Sequence, residues 1–554
     1  MRTARLLITA LLASTAAAAT TPAATTPAAQ VPASCGQTLD QKAWMFQGQD
    51  GWYFYGDELS GRWTARPWAA ARATFVPGAQ QLAAVLKARG VQLVLAPVPP
   101  RSFVAPQHLN AAGGAQKAFD PVAARAFYQG LVADLRAAGI PTADLLTPAQ
   151  ALGDAGLFRQ DIHWTPEGAQ AAARAVAATM NAAGIPGGAS PFVSLRAGTL
   201  TREVQAQPVL AQMQALCGLT VAPETFGDYQ TRAAQGLVAA PGNFGASEGK
   251  VRWAFGPVAR VAFYARQAGE VTVNATFQNP VKDQSVTVVY AGQTLDTISG
   301  LQPGQEVTRS WKVPAQAGSQ GLEFQFGDYN GGRASFAPKD SRPMAVIFKT
   351  LTLTGPDGTA DLVSEGARGA GLLGGAADTV LVGASSSLPN LNFAGFLQQE
   401  LSTRVDNVSF GGAGVYSSLK DYLLDDAYVS SAPKVLIWQM PLLGGDDTAE
   451  ADLRFLLAAA RGPAPVVARA QGTGSVSVTV PGAPGGAARV RVADASVKAV
   501  TFTVSGTTKR TFTVSNSDRM THRQDYLLDL SGLGPVTAVT AEAAGGLSLS
   551  VERP

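Results

Sequence analysis

Val380-Leu381-Val382-Gly383-Ala384-Ser385-Ser386-Ser387 decides the class of the fold. Three apolar residues run without alternation into a glycine and then three serines. A run of that kind reads as a strand buried on both faces, as in parallel sheets sheathed by helices. Gly383 permits a tight turn at its end. The serines then stand at the carboxyl edge of the sheet, where open α/β sheets hold their ligands. A serine-rich strand–helix turn is often only a helix cap, so this stretch alone does not declare a nucleophile.

Working outward, the downstream chain keeps the same alternation. Residues 393–401 read as a helix, 405–410 as a strand, 417–425 as a helix, 434–438 as a strand and 450–460 as a closing helix. Upstream, 69–88 is a helix, 91–98 a short buried strand, and 118–138 a second helix followed by an apolar step at 140–145. A third helix covers 167–183, with Thr165 as its N-cap, Pro166 at the first helical position and Gly184 beyond its end. Between these two α/β stretches the period changes to two, for example in Val271-Thr272-Val273-Asn274-Ala275-Thr276-Phe277, which reads as an antiparallel β-sandwich. Beyond Gly462 the chain turns to short β-runs again.

The expected fold class is therefore α/β, a doubly wound parallel sheet split by an inserted antiparallel β-sandwich and followed by a C-terminal β-rich module. The expected boundaries are a signal peptide at 1–19, a Thr/Pro/Ala-rich linker at 20–34, α/β halves at 35–225 and 357–461, the insertion at 226–356 and the last module at 462–554.

The composition agrees with several globular domains. A chain of 554 residues, 46% hydrophobic and 15% charged, is too long for one core and too apolar for a disordered chain. Forty-three basic residues against 40 acidic ones leave +3, which argues against a nucleic-acid platform. Arg2 and Arg5, the short apolar run 6–12 and the alanines at 16–19 form a secretory signal, too short to span a bilayer. A periplasmic or secreted protein is expected. In that oxidising setting Cys35 and Cys217 most simply form one disulfide, two free buried thiols being the alternative.

The second chemical motif is Asp161-Ile162-His163-Trp164-Thr165-Pro166-Glu167-Gly168. In an extended segment residues i and i+2 project to one side. Asp161 can then orient the His163 imidazole and stabilise its charged form, as in a hydrolase triad, or the pair can merely cap the turn. Ser385 would need such a base, because a free hydroxyl is a poor nucleophile at neutral pH. His108 and His522 lack metal-ligand spacing, and structural or surface roles are expected for them. Trp253, Tyr264, Tyr290, Trp311 and Tyr329 in the insertion could stack on sugar rings, although aromatics at strand spacing are more often core. Lys509, Arg510, Arg519, Arg523 and Tyr526 read first as a solvated face, and second as a surface for an anionic glycan.

Together these stretches resemble the alginate O-acetyltransferase (AlgX/AlgJ) family, whose catalytic domains are SGNH-hydrolase-like. The resemblance is carried by residues 48–54 (GQDGWYF), 93–101 (LVLAPVPPR), 161–168 (DIHWTPEG), 380–387 (VLVGASSS), 392–395 (NFAG) and 435–441 (VLIWQMP). It implies Ser385 as nucleophile, His163 as base and Asp161 as its orienter. Ser385 and Gly412 are implied as oxyanion donors, Trp164, Tyr416 and Arg101 as substrate-binding residues, and Cys35–Cys217 as a disulfide. No metal or other cofactor is implied. The implied activity is exported O-acetyl transfer to a polysaccharide through an acetyl-serine, with carbohydrate acetylesterase or a non-catalytic polysaccharide-binding or assembly scaffold as alternatives. Implied partners are the polysaccharide acceptor, a membrane-bound O-acyltransferase supplying acetyl, and polysaccharide export or assembly proteins. The chain departs from the family pattern at Ala384, where SGNH proteins carry an acid, at Gln439, where a glutamate is expected, and in lacking a clear block-three asparagine.

Overall fold

The computed structural model describes residues 45–59, 68–110, 114–202, 208–218, 221–333, 335–364, 377–442, 449–480 and 486–553. The expected signal peptide, the linker and Cys35 lie outside them. Among the described residues no helix is long and apolar enough to cross a membrane.

The centre is a four-stranded, all-parallel sheet. Its strands are β1 (Gln92–Val98), β2 (Thr379–Val382), β3 (Val405–Asn407) and β4 (Val435–Pro441), in the spatial order β3-β2-β4-β1. A parallel bridge from Leu95 to Thr142 adds the apolar step after the second helix to the β1 edge. All seven residues of β4 are buried, which explains their unalternating apolar character. Among its helices are α1 (Trp68–Ala88), α2 (Pro121–Ala137), α3 (Pro166–Ala182), α4 (Phe393–Leu401), α5 (Ser417–Leu424) and α6 (Ala449–Arg461). Helix α1 packs on α2 and α6, and α3 packs on α4. The start of α2 is set by Asp120, which accepts from Val122 and Ala123 N–H, and that of α3 by Thr165, which accepts from Gly168 N–H.

The insertion is two packed antiparallel sheets running from Val238 to Asp361. It begins later than the sequence pattern placed it. The strand Glu224–Ala233 pairs instead with Phe192–Arg202 as a separate two-stranded ribbon beside the α/β core. Residues 224–233 do form a strand, but it belongs to a different sheet. The sandwich has its own core, containing Phe263, Phe277, Phe324 and Phe348. Trp311 and Tyr290 are buried within it, while Trp253, Tyr264 and Tyr329 are half-buried.

The last module is a six-stranded antiparallel sheet in which the long strand Val536–Glu552 pairs with three neighbours. Its apolar side chains, among them Phe512, Tyr526 and Leu549, are continuous with those of the α/β domain. Helix α6 lies at the seam, where Arg454 and Arg461 both pair with Asp529. Lys420 of α5 donates to the Ser515 carbonyl. The insertion is therefore a satellite with a separate core, whereas the C-terminal module shares one with the α/β domain.

Candidate active site

His163 joins the two sequence-distant motifs. Its Nδ1 lies 2.6 Å from Asp161 Oδ1 and its Nε2 2.6 Å from Ser385 Oγ. Asp161 is almost wholly buried, and the His163 side chain keeps 12% of its surface open to solvent. A carboxylate that accepts from Nδ1–H leaves Nε2 free to accept from the serine hydroxyl.

Four elements hold Ser385 in place. It opens a short 3-10 turn, Ser385–Ser387, directly beyond β2 and Ala384. Gln439, fully buried on β4, accepts through Oε1 from Ala384 N–H at 2.8 Å and from Ser387 Oγ–H at 3.3 Å. A Cβ at Gly383 would come within 2.3 Å of that oxygen, so the strand end demands glycine. Trp164 Nε1–H donates to Ser386 O at 2.9 Å, and Asn407 Nδ2–H, at the end of β3, donates to Ser387 O at 2.6 Å.

The Asp161 loop is fastened from the opposite side. A bridge between Leu157 and Trp164 closes it into a narrow hairpin. Gly156 O lies so near Gly168 that a Cβ there would approach to 2.1 Å. The ribbon then supplies two residues from one register position. Arg202 pairs with Asp161 Oδ2, and Glu224 accepts from Arg159 N–H at 2.8 Å and Gln160 N–H at 3.1 Å.

The electrostatics follow from these contacts. Burial opposes ionisation of Asp161, but the hydrogen bond and charge of His163, with the charges of Arg202 and Arg101, outweigh it and hold the carboxyl below its ordinary value. Burial dominates at Glu224 and raises it, despite the two backbone N–H groups. Tyr55 is pushed up to about 12 by burial and by the nearby Asp161 charge, so its hydroxyl stays protonated.

The three residues expected to bind substrate are placed otherwise. Arg101 is 1% exposed, and its guanidinium is consumed by Glu58 at 2.7 Å and by the carbonyls of Tyr53, Phe158 and Arg159. It braces the loop leading to Asp161. Trp164 is buried, with its ring 5.0 Å from Phe393 and its N–H spent on Ser386. Tyr416 is buried with its ring 6.0 Å from Trp438. The resemblance implies substrate contact for all three, whereas here Arg101 and Trp164 spend their polar groups inside the protein and hold the motif.

The glycine segment after β3 does border the serine. A Cβ at Gly411 would lie 4.0 Å from Ser385 Cβ, and Gly412 adopts φ +77°. Cys217 is disulfide-bonded, and Cys35, the other cysteine of the chain, is outside the described residues. His108 lies between Asp50 (3.1 Å) and Asp154 (2.8 Å) and stacks on Trp52 at 4.6 Å, a structural clasp on the hairpin 48–52. His522 N–H is held by Asp421. Among the described residues no group of three or more His, Cys, Asp or Glu could hold a metal ion.

Sequence reading missed Arg202 and Glu224, and it read Arg519 as part of a solvated or glycan-facing surface, whereas its Nη1–H donates to Gly411 O at 2.6 Å. Gln439 stood out only as a departure. Its position directly after the buried Trp438 was the one available signal that it faces the nucleophile turn.

A family model described as "SGNH hydrolase-like domain, acetyltransferase AlgX" matches residues 45–251 and 329–442. The chain is 40% identical over 85 residues to the alginate biosynthesis protein AlgX of Pseudomonas fluorescens, which is 15% of this chain and 16% of that one. It is 35% identical over 138 residues to the probable alginate O-acetylase AlgJ of Pseudomonas aeruginosa, 24% of this chain and 32% of that one. The chain thus aligns with less than a third of the length of these relatives. The solved structure of Pseudomonas aeruginosa AlgX superposes with a TM-score of 0.56 at 19% identity, covering 95% of this chain and 100% of that one, a likeness of fold. The family match takes in both α/β halves and every residue of the Asp161–His163–Ser385 relay, and the chain belongs to the AlgX family of SGNH hydrolase-like domains.

Proposed function

We propose that the protein is an exported O-acetyltransferase that moves acetyl groups onto hydroxyls of an alginate-like exopolysaccharide through an acetyl-Ser385 intermediate. The observation that carries this reading is the continuous relay from Asp161 through His163 to Ser385 Oγ. His163 Nε2 takes the hydroxyl proton as Ser385 Oγ attacks the acetyl carbonyl of the donor. The tetrahedral oxyanion forms beside the amides of Ser385 and Gly412, which are assigned as its donors. Collapse breaks the bond to the donor oxygen, which leaves with the proton from His163. A sugar hydroxyl then gives its proton to the same imidazole, attacks the acetyl-serine and leaves as the sugar acetate, and Ser385 recovers its proton.

Asp161 keeps its charge throughout and stabilises the imidazolium. The names of the AlgX and AlgJ relatives supply the polymer class. A membrane-bound O-acyltransferase is the proposed acetyl supplier, since acetyl-CoA is a cytoplasmic metabolite. Export or assembly proteins of the polymer are the other proposed partners.

The test is turnover of a chromogenic acetyl ester with and without oligouronate acceptors, by the wild type and by Ser385→Ala. Acceptor-dependent acetylation lost in the variant is expected. Hydrolysis alone would make the protein an acetylesterase, and glycan binding without turnover in either protein would make it a scaffold.

A further inference from the structure

The C-terminal module reaches into the rim of the candidate active site at one residue. Arg519 sits on the loop between the strands Lys509–Ser515 and Asp525–Asp529, and its Nη1–H donates to Gly411 O at 2.6 Å. A Cβ on Gly412 would meet the same guanidinium at 3.1–3.4 Å, so the side chain lies flat over both glycines. A Cβ on Gly411 would lie 3.5 Å from Arg519 Nη1 and 4.0 Å from Ser385 Cβ. The glycine segment thus borders both the serine and the arginine.

The Arg519 loop is itself anchored to the α/β domain. Asp421 of α5 accepts from Thr521 N–H at 3.0 Å and from His522 N–H at 2.8 Å, and Lys420 donates to Ser515 O at 2.7 Å. Asn516 Nδ2 closes the loop on the carbonyls of Arg523 and Asp525. Among the described residues no carboxylate is paired with Arg519. Its bond to Gly411 O is the polar contact that fixes it.

The carbonyl of Gly411 and the N–H of Gly412 belong to one peptide plane, in which the two bonds point in opposite directions. Holding the oxygen therefore sets the direction of the N–H. A charged donor on the oxygen also polarises the unit and strengthens the N–H as a donor. Two consecutive glycines, one of them at φ +77°, give a plane that little else restrains.

We propose that Arg519 is a positioning residue of the active site, contributed by the C-terminal module, which locks the Gly411–Gly412 peptide so that Gly412 N–H faces the oxyanion formed at Ser385. This rests on the acetyl-serine reading above and assigns the module a part in catalysis. Arg519 touches neither substrate nor reacting atoms; it acts through the peptide.

The experiment compares the full chain with Arg519→Ala and Arg519→Lys, using a small neutral acetyl ester that offers no carboxylate to an arginine. Steady-state kinetics are paired with the labelling rate of Ser385 by a fluorophosphonate, whose phosphoryl oxygen needs the same donor. Thermal unfolding of each variant confirms that the module stays folded. Arg519→Ala is expected to lower kcat and the labelling rate by about tenfold or more with KM little changed, a part of the ~10²–10³-fold cost of losing an oxyanion donor outright. Arg519→Lys, which can still donate to the carbonyl, is expected to recover most of the loss.

Arg519→Ala within twofold of wild type in both readouts overturns the proposal. So does a defect confined to the KM of an oligouronate acceptor, which would make Arg519 a glycan ligand instead. A wild type that neither turns over the ester nor takes the label refutes the acetyl-serine reading itself, an outcome distinct from these.

Discussion

Arg202 and Glu224 occupy one register position of the ribbon, and both side chains end on the loop that carries Asp161. Arg202 meets the carboxylate itself, while Glu224 takes two backbone N–H groups just before it. The acid of the Asp161–His163–Ser385 relay is thus held by a β-ribbon outside the central sheet.

Removing Arg202 should therefore act on Asp161. In Arg202→Gln the carboxyl loses a charge that keeps it ionised, and kcat is expected to fall with little change in KM. Kinetics on a small neutral ester check this, and an unchanged kcat would detach Arg202 from the relay.

The pH dependence of stability carries opposite signs at the two carboxyls. Asp161 is depressed below 3.8, so its contribution is complete above that value and is lost as pH falls through the lower folded value. The stability gap between wild type and Asp161→Asn should narrow as pH falls below about 4. Glu224 is raised above 4.5, so ionisation costs the fold stability as pH rises through its folded value. Relative to wild type, Glu224→Gln should gain stability as pH rises from about 4.5 to that folded value and hold the gain above it. Denaturant unfolding across this range measures both, and parallel curves would contradict the assignment. Asp161→Asn should also lower kcat by about 10³–10⁴-fold, since the imidazole is then held in the wrong tautomer.

The Arg101–Glu58 pair predicts a loss of stability without a loss of substrate affinity. Both side chains are buried, and Arg101→Met leaves Glu58 charged and unmatched, at a cost of about 3–5 kcal/mol. Equilibrium unfolding should register the loss. KM of the folded fraction should stay at the wild-type value, and a selective rise in KM would restore Arg101 as a substrate residue.

The shared core predicts unequal tolerance to deletion. Ending the chain after Arg461 strips α6 of the module it packs against and exposes a continuous apolar surface. That truncation should aggregate or unfold. Replacing 238–361 by a short linker should leave the α/β domain folded, because the sandwich core is separate. Limited proteolysis and circular dichroism distinguish the two results.

Much of this was legible in the sequence because it depends on local chemistry. Strands β1, β2 and β4 announce themselves by unbroken apolar runs, and α3 by Thr165 and Pro166. Asp161 and His163 lie two residues apart, and Ser385 follows a strand into glycine. What escaped is set by tertiary register. Nothing near Arg202 signals that it ends on Asp161, and the sequence pattern assigns no element to 192–202, which is a strand. Arg519 reaches Gly411 across 108 positions of chain. For Arg101 and Trp164 the resemblance implies substrate contact, but polar atoms beside a motif serve equally to bind substrate or to satisfy buried carbonyls, and burial separates the two.

The most direct test is peptide mapping after brief exposure of the wild type to an acetyl ester and rapid acid quench. The account predicts one acetyl group on Ser385, discharged when an oligouronate acceptor is added before the quench, and no acetylation at that peptide in His163→Ala. Acetyl transfer that persists in Ser385→Ala, or an acetyl group accumulating on a different residue, would contradict it.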